Sequence, residues 1–260
     1  MKKKISIIGC GWLGMPLALS LSQNRYSVSG LTRNLNRLDC LKKSGVETYS
    51  FSVFDELSNY NASFFLADII IITLPFKRSF EDPFIYYRQI EWVLSQIKKT
   101  TQVIFTSTTS IYSKNSGIYT EKSTIVYETD RIKALYYTEQ LILNTMPNSS
   151  VLRLAGLYGP EREIGKSFFK KKVQINGNVT VNLVHLDDVI AVIHTIISRQ
   201  IYKPILNVVS SRHPLKKDLY KPFLTDTIEN GIFIERIIDN SYLKKCLNYD
   251  FIHELGEDCL

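Results

Sequence analysis

Ile5-Ser-Ile-Ile-Gly9-Cys10-Gly11-Trp12-Leu13-Gly14 stands almost at the amino end of the chain. Ile5 to Ile8 is a short, largely β-branched run, and Leu13, Leu17, Leu19 and Leu21 then recur at roughly helical spacing. The pattern predicts a strand, a glycine turn and a helix. Pro16 falls in or near the first helical turn, where backbone N–H groups lack intrahelical partners, so the helix tolerates it. Such a turn suits the pyrophosphate of a dinucleotide: Gly9 makes the tight bend, Gly11 admits the phosphates and Gly14 lets helix and strand pack closely. Trp12 and Leu13 share the loop and join the expected cofactor-binding set. A glycine triplet alone is a weak signal; its place between a strand and a helix, at the head of a βαβ unit, makes it a strong one.

Working outward, Tyr26 to Leu31 reads as a second strand, Val46 to Val53 as a third, Asp68 to Thr73 as a strand buried on both faces, and Gln102 to Thr106 as a fifth. Helical stretches at Leu35 to Lys43 and about Pro83 to Lys98 alternate with them. Asp130 to Asn144 is an amphipathic helix, Val151 to Ala155 a strand, Leu186 to Ser198 a helix opened by Asp187 and Asp188, and Ile205 to Val209 the last central strand. Short elements are expected around Ile232 to Ile238 and Tyr242 to Leu247. The expected fold is α/β: a Rossmann-type, doubly wound parallel sheet over residues 1–157 plus 182–209, with a small substrate-side lobe from 158–181 plus 210–260. No internal repeat or low-complexity segment is visible.

The tip of the second strand decides between cofactors. An NAD site places an Asp or Glu there to accept from the ribose hydroxyls, whereas this chain has Leu31-Thr32-Arg33-Asn34. Arg33 cannot accept a hydrogen bond but pairs well with a 2′-phosphate, and Thr32 adds a hydroxyl. NADP(H) is therefore expected in preference to NAD(H); the plainer alternative is that Arg33 is a surface residue at a loop. Leu74 and Pro75, after the fourth strand, and Thr106, in the fifth, complete the expected cofactor-binding residues.

At 260 residues and 45% hydrophobic, the chain can bury a sizeable core. The net charge is +7, but the basic runs (Lys2 to Lys4, Lys170 to Lys172, Lys216 to Lys217) are short and read as solvated faces, or as a basic rim attracting phosphorylated ligands. There is no aromatic-basic interleaving, so nucleic acid is not an expected partner. Cys10, Cys40, Cys246 and Cys259 form no CxxC pair and suit reduced thiols in a cytosol. His185, His194, His213 and His253 show no HExxH or paired metal spacing, so no bound metal is expected. Met1 to Lys4 followed by uncharged Ile5 to Ser22 mimics a signal peptide, yet those residues make the strand, turn and helix that the rest of the chain continues. No other uncharged run approaches the length of a membrane-spanning helix, and a cytoplasmic protein is expected.

Four further segments, Phe105-Thr-Ser-Thr-Thr-Ser-Ile-Tyr112, Leu152-Arg-Leu-Ala-Gly-Leu-Tyr-Gly-Pro160, Val184-His-Leu-Asp-Asp-Val189 and Leu206-Asn-Val208, resemble the extended short-chain dehydrogenase/reductase superfamily, which includes nucleotide-sugar epimerases and dehydratases. Gly11-Trp12-Leu13-Gly14 paired with Thr32-Arg33 looks most like its atypical YeeZ-like branch of epimerase-like NAD(P)-binding proteins. The resemblance puts Thr108 where the family's catalytic Ser/Thr bonds the substrate, a role that suits a hydroxyl at the carboxyl end of a central strand. It makes Tyr112 structural, Tyr158 to Pro160 the turn into the substrate lobe, and His185 with Asp188 the segment that pins that lobe.

One departure from the family matters more than the match. Redox-active members carry a Tyr and, four residues on, a Lys that binds the nicotinamide ribose and lowers the Tyr pKa. Anchored on Glu139, those positions here hold Arg131 and Leu135. At about 100° per residue, Tyr136 and Tyr137 project more than 90° away from Arg131, whereas Tyr127 precedes the helix by about one turn. The expected scheme has Thr108 orienting the substrate while Tyr127, or a water polarised by Arg131, donates the proton.

Three functions compete. The first is an NADP(H)-dependent oxidoreductase or epimerase acting on a small polar, nucleotide-linked or phosphorylated substrate in a cleft beside the lobe. The second is a dinucleotide-binding sensor or scaffold, favoured by the missing Tyr and Lys but not by the retained hydroxyls of Thr106 to Ser110. The third is a hydroxy-acid or 6-phosphogluconate type of dehydrogenase, whose largely helical second domain the stretch with Pro204, Pro214 and Pro222 does not supply. The helix with Ile90, Trp92, Val93 and Ile97 and the helix Ile132 to Leu143 either form a homodimer face, as in relatives, or pack on the sheet.

Overall fold

The structure, a computed structural model, describes residues 2–24, 26–53, 61–77, 79–164, 175–202, 204–220, 228–229 and 231–255. The run Lys170 to Lys172, Pro222 and Cys259 lie outside the described residues. Along the chain the elements are β1 (Lys4–Ile8), α1 (Gly14–Gln23), β2 (Ser27–Leu31), α2 (Leu35–Lys43), β3 (Glu47–Tyr49), β4 (Ile69–Ile72), α3 (Phe84–Ser95), β5 (Gln102–Thr108), β6 (Gly117–Tyr119), α4 (Asp130–Thr145), β7 (Ser149–Leu154), β8 (Gly156–Tyr158), β9 (Ile175–Asn176), β10 (Leu183–His185), α5 (Leu186–Ser198), β11 (Ile205–Val208), α6 (Lys216–Tyr220), β12 (Ile228–Glu229), β13 (Arg236–Ile238) and α7 (Ser241–Leu247). Seven strands form a parallel sheet in the order β11-β7-β5-β4-β1-β2-β3, the doubly wound arrangement expected of alternating strands and helices.

Each element follows from its residues. Ile69 to Ile72 are at most 1% exposed, as a strand covered on both faces requires. α2 begins where the Asn34 side chain accepts from the Arg37 N–H, and ends on Lys42 and Lys43, whose charges suit a helix carboxyl terminus. Thr129 caps α4 in the same way, accepting from the Ile132 N–H at 3.2 Å. β3 is shorter than expected because it is an edge strand, paired only with β2 from Ser29↔Glu47 to Leu31↔Tyr49. β6, β8, β9, β10 and β12 were not foreseen: two or three residues carry no readable period, and each pairs with a strand distant in sequence.

The chain divides into two compact units, residues 1–107, 127–152 and 202–204, and residues 108–126, 153–201 and 205–260. In the first, register sets the position of the loops. Ile8 pairs with Leu31 and Ile72, and Ile72 with Phe105, so the next residues, Gly9, Thr32 and Thr73, leave the sheet at one edge, level with Thr106 of the longer β5. Ile90, Val93, Ile132, Leu135 and Ile142 are buried within this unit, so α3 and α4 turn these side chains into the chain's own core. In the second unit, fully buried Arg153 donates to the Tyr112 hydroxyl at 2.8 Å, which donates to Asn207 Oδ1 at 2.8 Å. A smaller core gathers Tyr158, Val181, Leu219, Tyr220 and Leu255. Among the described residues, no helix is long and apolar enough to cross a membrane.

Two glycines in the first turn answer to the fold alone. Gly9 has φ +100°, a left-handed conformation that side chains resist, and a Cβ on Gly14 would lie 2.4 Å from the Gly9 carbonyl oxygen and 2.7 Å from Thr73 Oγ1. Gly14→Ala should therefore lower stability by about 2 kcal/mol or more, comparable with the roughly 2–5 kcal/mol expected for Ile71→Ala in the sheet centre. Thermal denaturation checks both, and a Gly14→Ala protein melting with the wild type would contradict the close packing.

Candidate functional site

The glycine turn is held from three sides. The N–H groups of Gly9 and Cys10 both donate to the Leu31 carbonyl, at 3.2 and 2.8 Å, tying the turn to the end of β2. Thr73, one residue past β4, donates its hydroxyl to the Gly9 carbonyl at 2.7 Å. The Met15 N–H reaches the Gly11 carbonyl at 3.1 Å to begin the helical ladder, so the amides of Trp12, Leu13 and Gly14 belong to the first turn, which presents a partial positive charge.

Beside it, the β2–α2 connection is equally constrained. The Thr32 N–H donates to the Tyr49 carbonyl, the Asn34 N–H to the Thr32 hydroxyl at 3.3 Å, and the Arg37 N–H to Asn34 Oδ1 at 3.1 Å. These bonds fix a short turn with Arg33 exposed at its tip. On the other flank, buried Tyr86 of α3 donates its hydroxyl to the Leu74 carbonyl at 2.8 Å and holds the loop after β4.

Between these turns lies a crevice of about 340 Å³, and Gly9, Gly11, Thr32, Arg33, Leu74 and Pro75 line it as expected. Of the other expected cofactor residues, Gly14 is packed beneath the turn, Leu13 is buried, and Thr106 donates its hydroxyl to the Ile72 carbonyl at 3.1 Å; none of these, nor Trp12, lines the crevice. Sequence reasoning missed Arg37, Lys77 and the Phe51 to Val53 wall. Arg37 was within reach of that reasoning, since it sits one helical turn beyond Arg33, whereas Phe51 to Val53 follow an edge strand whose end no pattern marks. Arg33, Arg37 and Lys77 put three cations on the wall, and among the described lining residues there is no carboxylate. Cys10 also lines the crevice, but burial pushes its thiol up to about 12, so it packs rather than reacts.

Gly11 differs from its two neighbours. It lies on the crevice wall, its φ is not in the left-handed region, and a Cβ there would meet nothing nearer than 3.8 Å. Chain packing therefore does not require glycine at this position. The empty volume over Gly11 is the space that a phosphate group at the helix amino terminus would fill, so the residues present fit a dinucleotide.

The expected catalytic residues are arranged as follows. Thr108, the last residue of β5, donates to Ser110 Oγ and accepts from the Ser110 N–H, both at 3.1 Å, and thereby caps a short 3₁₀ turn. Ser107 donates to Glu139 Oε1 at 2.5 Å, anchoring the end of β5 on a fully buried carboxylate of α4. Tyr127 and Arg131 are four residues apart, but Tyr127 lies before the Thr129 cap and so outside the helix. The Tyr127 ring packs on Tyr136 and Tyr137, with centroids 5.5 and 6.1 Å away, whereas the Arg131 guanidinium lies over the Phe76 ring at 5.1 Å. Local desolvation, followed by the neighbouring tyrosines, raises the Tyr127 pKa and keeps its hydroxyl protonated, opposite to what a lysine partner would do.

Residues 4–150 match the family described as the NAD binding domain of 6-phosphogluconate dehydrogenase. Protein YeeZ of Escherichia coli (strain K12) is 32% identical to the chain over 266 aligned positions, covering 96% of each. Among solved structures, the fold is similar to that of UDP-glucuronic acid 4-epimerase from Bacillus cereus in complex with NAD, with a TM-score of 0.77, 18% identity and coverage of 96% of this chain and 94% of that one. UDP-glucose 4-epimerase from Thermotoga maritima, with UDP-glucose, gives a TM-score of 0.76 at 19% identity, covering 98% and 96%. A glycine turn open to a phosphate and a seven-stranded Rossmann sheet agree with these matches, which establish that the chain belongs to the family of protein YeeZ and carries at its amino end an NAD-binding domain of the kind described for 6-phosphogluconate dehydrogenase.

Proposed function

We propose that the protein is an NADP(H)-dependent oxidoreductase or epimerase/dehydratase-like enzyme acting on a small polar, nucleotide-linked substrate. The observation that carries this reading is the crevice wall: room over Gly11, the cations Arg33, Arg37 and Lys77, and no carboxylate among the described lining residues. Among the described lining residues no Asp or Glu stands ready to bond a free ribose 2′-hydroxyl, while a 2′-phosphate would meet guanidinium groups suited to it. In this reading Gly9 and Gly11 shape the turn that faces the pyrophosphate, Thr32 and Arg33 hold the 2′-phosphate, Leu74 and Pro75 border the remaining nucleotide, and Trp12, Leu13, Gly14 and Thr106, which do not line the crevice, support the turn and the strand end from behind. When bound, the nicotinamide would supply hydride chemistry. The UDP-sugar epimerases of similar fold supply the analogy for the substrate class.

For the chain's own residues, Thr108 is assigned to orient the substrate through its hydroxyl. Tyr127, held protonated, or a water polarised by Arg131, is assigned to donate the proton. A second reading, a dinucleotide-binding sensor or scaffold, draws support from two observations. The hydroxyls of Thr106, Ser107 and Thr108 all have partners within the protein, and Tyr127 has its pKa raised rather than lowered.

Calorimetric titration with NADPH and NADH tests the cofactor assignment: NADPH should bind at least about tenfold tighter, the effect of one good charge-assisted contact. Arg33→Ala should abolish most of that difference while leaving NADH affinity within about twofold; equal binding of both nucleotides by the wild type would sink the preference. Gly11→Ala should melt within about 2 °C of the wild type yet bind neither nucleotide well, and retained affinity would contradict the phosphate cradle. In an assay with a UDP-sugar that turns over, Thr108→Ala and Tyr127→Phe should each cost about 10²-fold or more in kcat. Unchanged turnover in both would refute the catalytic scheme, and tight nucleotide binding with no hydride transfer to any tested sugar would favour the sensor.

A further inference from the structure

We propose that His185, Asp187 and His253 form a binding site for a borderline divalent cation such as Zn²⁺, which clamps the carboxyl-terminal segment to the amino end of α5. All three residues belong to the second compact unit, so the site is independent of the nucleotide crevice. Asp187 Oδ2 lies 3.1 Å from His253 Nε2 and 3.4 Å from His185 Nδ1. Ligand atoms at about 2.0–2.2 Å from a tetrahedral zinc stand roughly 3.3–3.6 Å from one another, so both separations are close to tetrahedral edges. One ligand atom from each of the three residues lies within 4.8 Å of the other two.

The surroundings hold these groups in place without using the atoms a cation would need from His253. Asp188 is fully buried, and its carboxylate accepts from the Tyr249 hydroxyl and the Ile252 N–H, both at 2.7 Å, and from the His253 N–H at 3.1 Å. Tyr158 packs edge-on against the His185 ring and donates its hydroxyl to the His253 carbonyl at 3.3 Å. The His253 backbone is thus fixed by contacts that do not involve its ring, whose Nε2 pairs with Asp187 Oδ2, and the two imidazole rings stack with centroids 3.8 Å apart and planes tilted by 37°. His185 Nδ1 accepts from the Asp187 N–H at 3.2 Å, a long bond that coordination would replace. The Asp187 side chain is 55% exposed and that of His253 37%, so ions and a completing water have a way in. Two imidazoles and one carboxylate make a donor set that selects Zn²⁺, Co²⁺ or Ni²⁺ over Mg²⁺ or Ca²⁺. No local spacing announces it, because 66 residues separate Asp187 from His253.

The full-length protein, stripped with EDTA and dialysed, should be titrated with Co²⁺ by visible absorption and with Zn²⁺ by calorimetry, alongside His253→Gln and Asp187→Asn. One Co²⁺ per chain with a tetrahedral d–d band and no thiolate charge-transfer band is expected, as is a melting temperature raised by about 5 °C at 100-fold excess over Kd. His253→Gln, which keeps the volume and the backbone bonds of the residue, should weaken binding at least tenfold and remove the Zn²⁺-induced shift. The far-ultraviolet circular dichroism and the metal-free melting temperature of the variant should match those of the wild type, which shows that it is folded. Absence of the d–d band, a charge-transfer band that assigns the ion to cysteine, equal binding by His253→Gln, or an equal response to Mg²⁺ would each overturn the proposal.

Discussion

Much of the nucleotide crevice depends on how closely α1 approaches the end of β1. At Gly14 the helix comes so near the Gly9 carbonyl that even a methyl group would intrude, and Thr73 closes the gap with a hydrogen bond to the same oxygen. A helix started one side chain further out would leave its first amides away from the sheet edge where the loops emerge. Because β1, β2 and β4 are paired in strict register, the bend at Gly9, the tip at Arg33 and the loop at Leu74 are all set by the same ladder of backbone bonds. The crevice is therefore preorganised, and the ordering cost of forming it belongs to folding rather than to binding.

The electrostatics rest on that frame. An amino-terminal helix turn, two arginines and a lysine converge on one wall, and the capping of α2 by Asn34 is what directs Arg33 and Arg37 there. Such a wall favours an anionic ligand. The carboxyl end of β5 is built differently. Thr106, Ser107 and Thr108 each have protein partners, and Ser107 ties the strand end to a buried glutamate, so this segment is rigid before any substrate arrives. A hydroxyl presented by a rigid segment can orient a substrate with little reorganisation. The same rigidity, without the lysine that would lower a tyrosine pKa, is also what a nucleotide sensor would retain.

Within the second unit, a buried carboxylate again organises what surrounds it. Asp188 gathers three donors from the segment 249–253, and this is what brings His253 against the first turn of α5. A histidine pair and a carboxylate in contact at a partly open surface form a polar junction within a segment otherwise held by a small apolar cluster.

The alternation of strands and helices, the pyrophosphate turn and the cationic tip of β2 were all legible in the sequence. Each is encoded locally, by β-branched runs, a glycine triplet and a cap within a few residues of one another. The separate duties of Gly11 and Gly14 follow from their places in the triplet, but local pattern could not show what Gly14 packs against, the Gly9 carbonyl oxygen and the Thr73 hydroxyl, because Thr73 lies on a different strand. Nor could it show Lys77 and Phe51 on the crevice wall, the Tyr127 ring lying on Tyr136 and Tyr137 rather than beside Arg131, or the two-residue strands, whose pairings span long stretches of chain. The sequence by itself determined the sheet, the turn and the class of cofactor, since short-range spacing dictates them. Only the tertiary structure decided which side chains meet, because contacts such as that between Asp187 and His253 depend on long-range packing that no window of residues contains.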